Sequence, residues 1–149
     1  MSIVVRGCHI GEGRPKVIVP IVETTESKIL ERAFEFSRFR IDCVEWRVDW
    51  FEQCMDAHSV VSCLQKLRVA LRDKLLLVTF RTKAEGGKVP LTHKEYLDFI
   101  NTVIDTDCAD LIDIEFFTAG DDIRELIDNA HSSGAVSYTH LRAHETRGN

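Results

Sequence analysis

Two arginines and a group of carboxylates stand where apolar stretches of this chain run out. Read as a β-strand, Cys43 to Asp49 (Cys-Val-Glu-Trp-Arg-Val-Asp) puts Val44, Trp46 and Val48 on one face and Glu45, Arg47 and Asp49 on the other. Arg81 ends the run Leu75 to Arg81, and in Leu111 to Phe117 Asp113 and Glu115 oppose Ile112 and Ile114. A guanidinium grips a carboxylate through paired hydrogen bonds, so Arg47 and Arg81 on neighbouring strands suit a carboxylate-bearing or strongly oxygenated substrate. The alternative is a structural ion network in which Glu45, Asp49 or Glu85 neutralises each arginine. Glu85 lies in a loop with Gly86 and Gly87 that has the composition either of a flap over a ligand or of a plain surface turn. Gly86-Gly87 makes a poor phosphate cradle, because the next helix starts only after Thr92. Lys83 reads as a solvated loop lysine, since nothing local predicts the burial a nucleophilic amine needs.

The elements that must position these groups alternate. Ile3 to Ile10, broken at Gly7, reads as a small hairpin leading into the domain. Lys16 to Val22 is nearly all β-branched, the mark of a strand buried on both faces, with Pro20 expected near its end or at an irregularity. A helix follows Thr24 and Thr25, carrying Ile29, Leu30, Ala33 and Phe34 on one face. After the Cys43 strand, Ser59 to Asp73 places Val60, Leu64, Leu67 and Leu71 at helical spacing. Thr92 and Glu95 form a capping box for a helix presenting Tyr96, Phe99, Ile100 and Val103. Asp121 and Asp122 open a last helix, with Gly134 as its C′ residue. Strand and helix thus alternate at the spacing of about 30 residues typical of βαβ units, which predicts a parallel sheet. Ligands of such sheets bind at the carboxyl ends of the strands, where the charges gather. A charged inner face on the second strand of the repeat favours a (β/α)8 barrel over a doubly wound sheet.

Composition narrows the function. The chain has 149 residues, 44% of them hydrophobic, and a net charge of −5. A mildly acidic chain without a Lys/Arg cluster argues against a nucleic-acid or anionic-membrane partner. Five cysteines include no Cys-x-x-Cys pair and read as reduced thiols of a cytoplasmic protein. No run approaches the roughly 18 apolar residues of a membrane span, and the N-terminus lacks a signal peptide's apolar core.

Four segments resemble type I 3-dehydroquinate dehydratase in the right order: Gly11 to Pro20, Val44 to Asp49, Thr79 to Gly87 and Ile112 to Glu115. The resemblance reaches about Ala135. It implies a (β/α)8 barrel, here truncated to about the first four βα units behind an N-terminal hairpin, and an intact protein that is a homodimer. It also implies a cofactor-free, metal-free dehydration of 3-dehydroquinate to 3-dehydroshikimate in the shikimate pathway. In that reaction a lysine forms a Schiff base with the ketone and a histidine is the general acid/base. Glu45, Trp46, Arg47 and Arg81 match the family's substrate-contacting positions, and Glu85 matches the acid that supports the histidine. Pro20 stands where some members have a substrate-contacting serine, so that contact is not carried over.

The catalytic pair is where the chain departs. The family's histidine lies in a Ser-Asn-His-Asp-Phe segment on the fifth barrel strand and its lysine on the sixth, and neither segment occurs here. After Ala135-Val136 no sustained period continues, and residues 136–149 resemble the translation of a sequencing adapter. The expected domains are therefore residues 1–135, half a dehydratase barrel, and a non-native tail, with the polypeptide itself inactive. His140 and His144, at i and i+4, lack a third ligand and the His-Glu-x-x-His pattern of a metal site. Two other functions fit the same charges: a non-catalytic carboxylate-binding module, and another lysine-dependent barrel enzyme of the class I aldolase kind.

Overall fold

The computed structural model of the chain describes residues 2–140. It opens with the expected hairpin, β1 (Ile3–Val5) against β2 (Cys8–Ile10), antiparallel with Val5 opposite Cys8. The two-residue turn holds Arg6 and Gly7 at φ 47° and 73°, the double positive φ that matches the twist of a tight hairpin.

Five parallel strands follow: β3 (Ile18–Ile21), β4 (Cys43–Arg47), β5 (Leu75–Thr79), β6 (Leu111–Glu115) and β7 (Val136–His140). They lie side by side in sequence order, β3-β4-β5-β6-β7. A doubly wound sheet reverses its order at a switch point; this one does not, which is the arrangement of a barrel wall. Helices α1 (Glu26–Ser37), α2 (Ala57–Leu71), α3 (His93–Asp105) and α5 (Ile123–Ser132) fill the connections, with a short α4 (Phe116–Ala119) directly after β6.

Strand alternation sorts the side chains into two layers. Val44, Trp46, Leu76, Val78, Ile112 and Ile114 are fully buried in one core with Leu64 and Leu67 of α2 and Ile100 of α3. Cys43, Leu75, Leu77 and Leu111 form a second, smaller cluster on the other face, closed by Val5, Cys8 and Ile10. The hairpin is thus the floor of the sheet's inner side. Asp110 fastens it there. One carboxylate oxygen accepts from Arg6 Nε at 2.5 Å, and the other accepts from Arg68 Nη1 at 2.6 Å and the Leu76 N–H at 2.9 Å.

The helix starts are capped by short polar side chains. Thr25 accepts from the Lys28 N–H, Asp56 from the Ser59 N–H, and Thr92 with Glu95 makes the complete capping box. The Asp56 cap starts α2 at Ala57 and the helix ends at Leu71, two residues earlier at each end than the apolar periodicity predicts. Gly134, at φ 86°, takes the left-handed position that follows α5.

Several strands are shorter or barer than expected. The second, third and fourth strands of the repeat end at Arg47, Thr79 and Glu115, not at Asp49, Arg81 and Phe117. Val48–Trp50 turns as a 3₁₀ helix and Phe116 enters α4, so the charged residues sit on turns at the strand mouths. β3 is also not buried on both faces. It is an edge strand, with Ile18 52% exposed and Ile21 buried, and an edge is where Pro20 can sit without breaking a ladder. Beyond Val136, where the sequence pattern fades, the backbone continues through His140 in parallel register with β6. His144 and the rest of the tail lie outside the described residues. Among the described residues all five cysteines are free thiols and no helix is long and apolar enough to cross a membrane.

Asp110→Ala should leave Arg6, Arg68 and the Leu76 N–H without their acceptor. The expected loss is about 3 kcal/mol or more in urea unfolding, with early hydrogen exchange in β1 and β2.

Candidate active site

The carboxyl ends of β4, β5 and β6 bring six charged side chains together. Arg47 ends β4 and turns back on Asp49, giving Nε to Oδ1 at 2.8 Å and Nη2 to Oδ2 at 2.9 Å. Asp49 is 2% exposed and also accepts the backbone N–H groups of Arg81 and Lys88, both at 3.4 Å. One carboxylate therefore ties the mouth of β4 to the mouth of β5 and to the far side of the loop carrying Glu85. The pairing holds the Arg47 guanidinium more firmly protonated, chiefly through the side-chain hydrogen bonding it donates to Asp49.

Arg81 leans the other way. Its Nη1 donates to Glu115 Oε1 at 3.2 Å and its Nη2 to Asp113 Oδ2. Glu115 is 1% exposed and fully engaged: it accepts from the Thr82 N–H at 3.0 Å, from Thr82 Oγ1 at 2.8 Å and from Thr118 Oγ1 at 2.6 Å. Asp113, 3% exposed, is engaged on one side only; among the described residues its Oδ1 has no hydrogen-bond partner. Burial pushes its carboxyl up to about 6, against the opposing pull of Arg81.

The loop between β5 and α3 is built, not loose. Thr82 bridges Val89 in parallel, Lys83 donates its N–H to Val89 O at 3.0 Å, and Gly87 donates to Thr82 O at 2.8 Å. Gly86 is left-handed at φ 89°. A Cβ on Gly87 would stand 1.7 Å from the Arg81 carbonyl oxygen, so the loop can press on Arg81 only because that residue is glycine. This geometry buries Glu85 beneath the loop at 8% exposure and leaves Lys83 exposed. Lys88 sits over the Trp50 ring at 3.4 Å.

Of the residues singled out in the sequence, Glu45, Arg47 and Arg81 gather at this mouth, and Glu85 lies under the adjoining loop. Trp46 does not join them. It is fully buried on the opposite face of β4, its ring 6.0 Å from that of Phe51, and supports the strand from behind. The ion network raised as the alternative does form. Asp49 holds Arg47 as that reading allows, whereas Arg81 is held by Asp113 and Glu115. Sequence reasoning passed over those last two as partners of Arg81, although their alternation with Ile112 and Ile114 was the available signal. A guanidinium has five N–H donors, so these ion pairs orient both arginines and leave donors for a ligand. An apolar groove of about 220 Å³, lined by Met55, Phe80, Leu91 and Phe99 among others, lies on the helix side, away from this cluster. No metal-binding group of His, Cys, Asp or Glu occurs among the described residues.

Sequential parallel strands, covered by helices on one side and carrying charges at their carboxyl ends on the other, define a (β/α)8-barrel wall. The model of the type I 3-dehydroquinase family matches residues 17–145, and the chain belongs to that family. It is 41% identical over 129 residues to the 3-dehydroquinate dehydratase of Bacillus subtilis, covering 87% of this chain and 51% of that protein. It is 34% identical over 146 residues to the enzyme of Salmonella typhimurium, covering 97% and 58%. The crystal structure of the type I 3-dehydroquinate dehydratase from Clostridium difficile with covalently modified comenic acid superposes with a TM-score of 0.90 at 34% identity. That superposition covers 93% of this chain and 55% of the other. The chain spans about half the length of the curated relatives it matches.

Because the folded state binds the Asp113 proton more tightly than the unfolded chain does, the contribution of Asp113 to stability is fully present only below 3.8. It should fall as the pH climbs from 3.8 towards about 6. Asp113→Asn should remove that component, so the stability of the variant relative to wild type rises between these limits in a series of urea titrations. Gly87→Ala should displace residues 82–89 and unseat Arg81, read as hydrogen-exchange protection of the backbone amide at position 87 lost relative to wild type.

Proposed function

We propose that this chain is the N-terminal half of a type I 3-dehydroquinate dehydratase, a cytoplasmic hydro-lyase of the shikimate pathway that acts as a homodimer without cofactor or metal. The observation that supports it most is the joint placement of Glu45, Arg47 and Arg81 at the mouths of adjacent strands, with Glu85 beneath the adjoining loop, in a chain of this family. Arg47 and Arg81, already oriented by Asp49, Asp113 and Glu115, bind the substrate carboxylate and hydroxyls with their remaining N–H donors. Trp46 supplies packing, not a contact.

The reaction itself needs groups this chain does not carry. A lysine from a later strand attacks the ketone and forms the Schiff base; a histidine, steadied by Glu85, moves the proton alpha to the imine; the hydroxyl beta to it departs as water. The chain of 149 residues is then inactive alone, and residues 136–149 are adapter-encoded. Reading the genomic DNA beyond the Ala135 codon tests this directly. The expected result is a Ser-Asn-His-Asp-Phe-like segment and a later strand lysine.

The full-length gene product should convert 3-dehydroquinate to its conjugated enone and lose activity irreversibly with borohydride only when substrate is present. Arg81→Ala in it should lower kcat/KM by at least about thirtyfold, equivalent to about 2 kcal/mol for a buried charge-paired contact. A second reading, a carboxylate-binding module, rests on the same pair of oriented arginines. It requires that the genome encode the tail as written and that the chain bind 3-dehydroquinate without turnover.

A further inference from the structure

The inner face of the sheet carries more carboxylate than its arginines neutralise. Glu45, Asp49, Asp113 and Glu115 face Arg47 and Arg81, and only Arg47 is matched one to one. The surplus is concentrated at Asp113, whose Oδ1 is buried and unpartnered among the described residues. The groups that act on Asp113 are Arg81 at the mouth of β5, Glu115 two residues on in β6, and Glu45 on β4. Its own charge reaches Arg47 and the buried Tyr96 of α3. Inside a (β/α)8 barrel, side chains stack in layers of about four, each layer drawn from alternate strands. Glu45 on β4 and Asp113 on β6 occupy alternate strands, so the other two places of their layer belong to strands beyond this chain. An unpartnered buried carboxylate oxygen with a second carboxylate near it calls for a cation from those strands.

We propose that Asp113, with Glu45 beside it, is the counter-charge of the Schiff-base nitrogen, its Oδ1 accepting the N–H of the lysine ammonium and then of the iminium. This rests on the Schiff-base reading above. In the step concerned, the neutral amine attacks the ketone carbon and a carbon–nitrogen double bond replaces the carbon–oxygen one. The oxygen leaves as water, taking one proton from the amine and one from the general acid. One N–H and a full positive charge remain on nitrogen. Asp113 transfers no proton; it holds that charge in place while the alpha proton is removed.

The test uses the full-length protein, with 3-dehydroquinate and borohydride trapping followed across pH. In Asp113→Asn the midpoint for trapping, which reports the lysine, should fall by at least about one pH unit, and kcat should drop at least about tenfold with a smaller change in KM. Asp113→Glu, which keeps the charge, should restore most of the shift. An unchanged midpoint in a folded Asp113→Asn protein would overturn the proposal. A second measurement needs no change at Asp113: with the lysine replaced by methionine, the Asp113 carboxyl followed by carbon-13 NMR should titrate at least about one unit higher than in wild type. An unmoved carboxyl there would also overturn it. If wild type itself yields no trapped adduct, the Schiff-base reading has failed and this inference falls with it, an outcome distinct from a trapping wild type with an indifferent Asp113.

Discussion

A parallel strand has two faces, and neither can be left to water without cost; everything else in this protein follows from how each face is covered. The β-branched and aromatic face, Val44 and Trp46 on β4 and their equivalents on β5 and β6, is sealed by amphipathic helices. The inner face is divided by height. Its lower rung, Cys43, Leu75 and Leu111, is apolar and closed by the hairpin, while its upper rungs carry Glu45, Asp113, Arg47 and Glu115. Burial of the lower rung lets the upper one be charged, because the hairpin keeps water out from below and, among the described residues, ion pairs satisfy most of the polar atoms above, Asp113 Oδ1 excepted.

The same constraint explains why the site is assembled from turns. A charged residue at the end of a strand cannot continue into another covered rung, so the chain leaves the sheet there: a 3₁₀ turn after Arg47, a bridged loop after Thr79, a short helix after Glu115. Asp49 makes these exits cooperate. By accepting from the Arg47 side chain and from two backbone N–H groups across the gap, it converts separate loop conformations into one arrangement. Arg81 is fixed from both sides, its N–H by Asp49 and its guanidinium by Asp113 and Glu115, and Gly87 lets the loop close on it. Ion pairs of this kind stabilise a fold little, since desolvation offsets the attraction; their return is an arginine held in the pose a ligand needs.

Much of this was legible in the residues. The order of strands and helices, the hairpin, the Thr92 capping box and the gathering of Glu45, Arg47 and Arg81 at strand ends all follow from period and residue type, because those signals are local. The ends of the strands were not legible, since Val48 and Phe116 suit a strand as well as a turn and only the competing ion pairs and helix start decide against it. The exposure of β3 in this chain was not legible for a related reason: Val and Ile mark a strand made to be covered, and what lies beside it in the sheet is not a property of the strand.

By itself the sequence determined the kind of protein: its α/β alternation, the charges on offer and a likeness to one dehydratase family in four ordered segments. Tertiary structure alone decided which charges meet. Asp49 lies 32 residues from Arg81 and Asp113 another 32 beyond it, so their contacts depend on the lateral register of three strands. That Trp46 faces away from Glu45 and Arg47 is already in the period-two alternation of the strand; the tertiary structure decided that this face is sealed in the helix-side core. Pairing across a sheet and burial against a partner layer are set by residues far apart in sequence, and no local pattern records them.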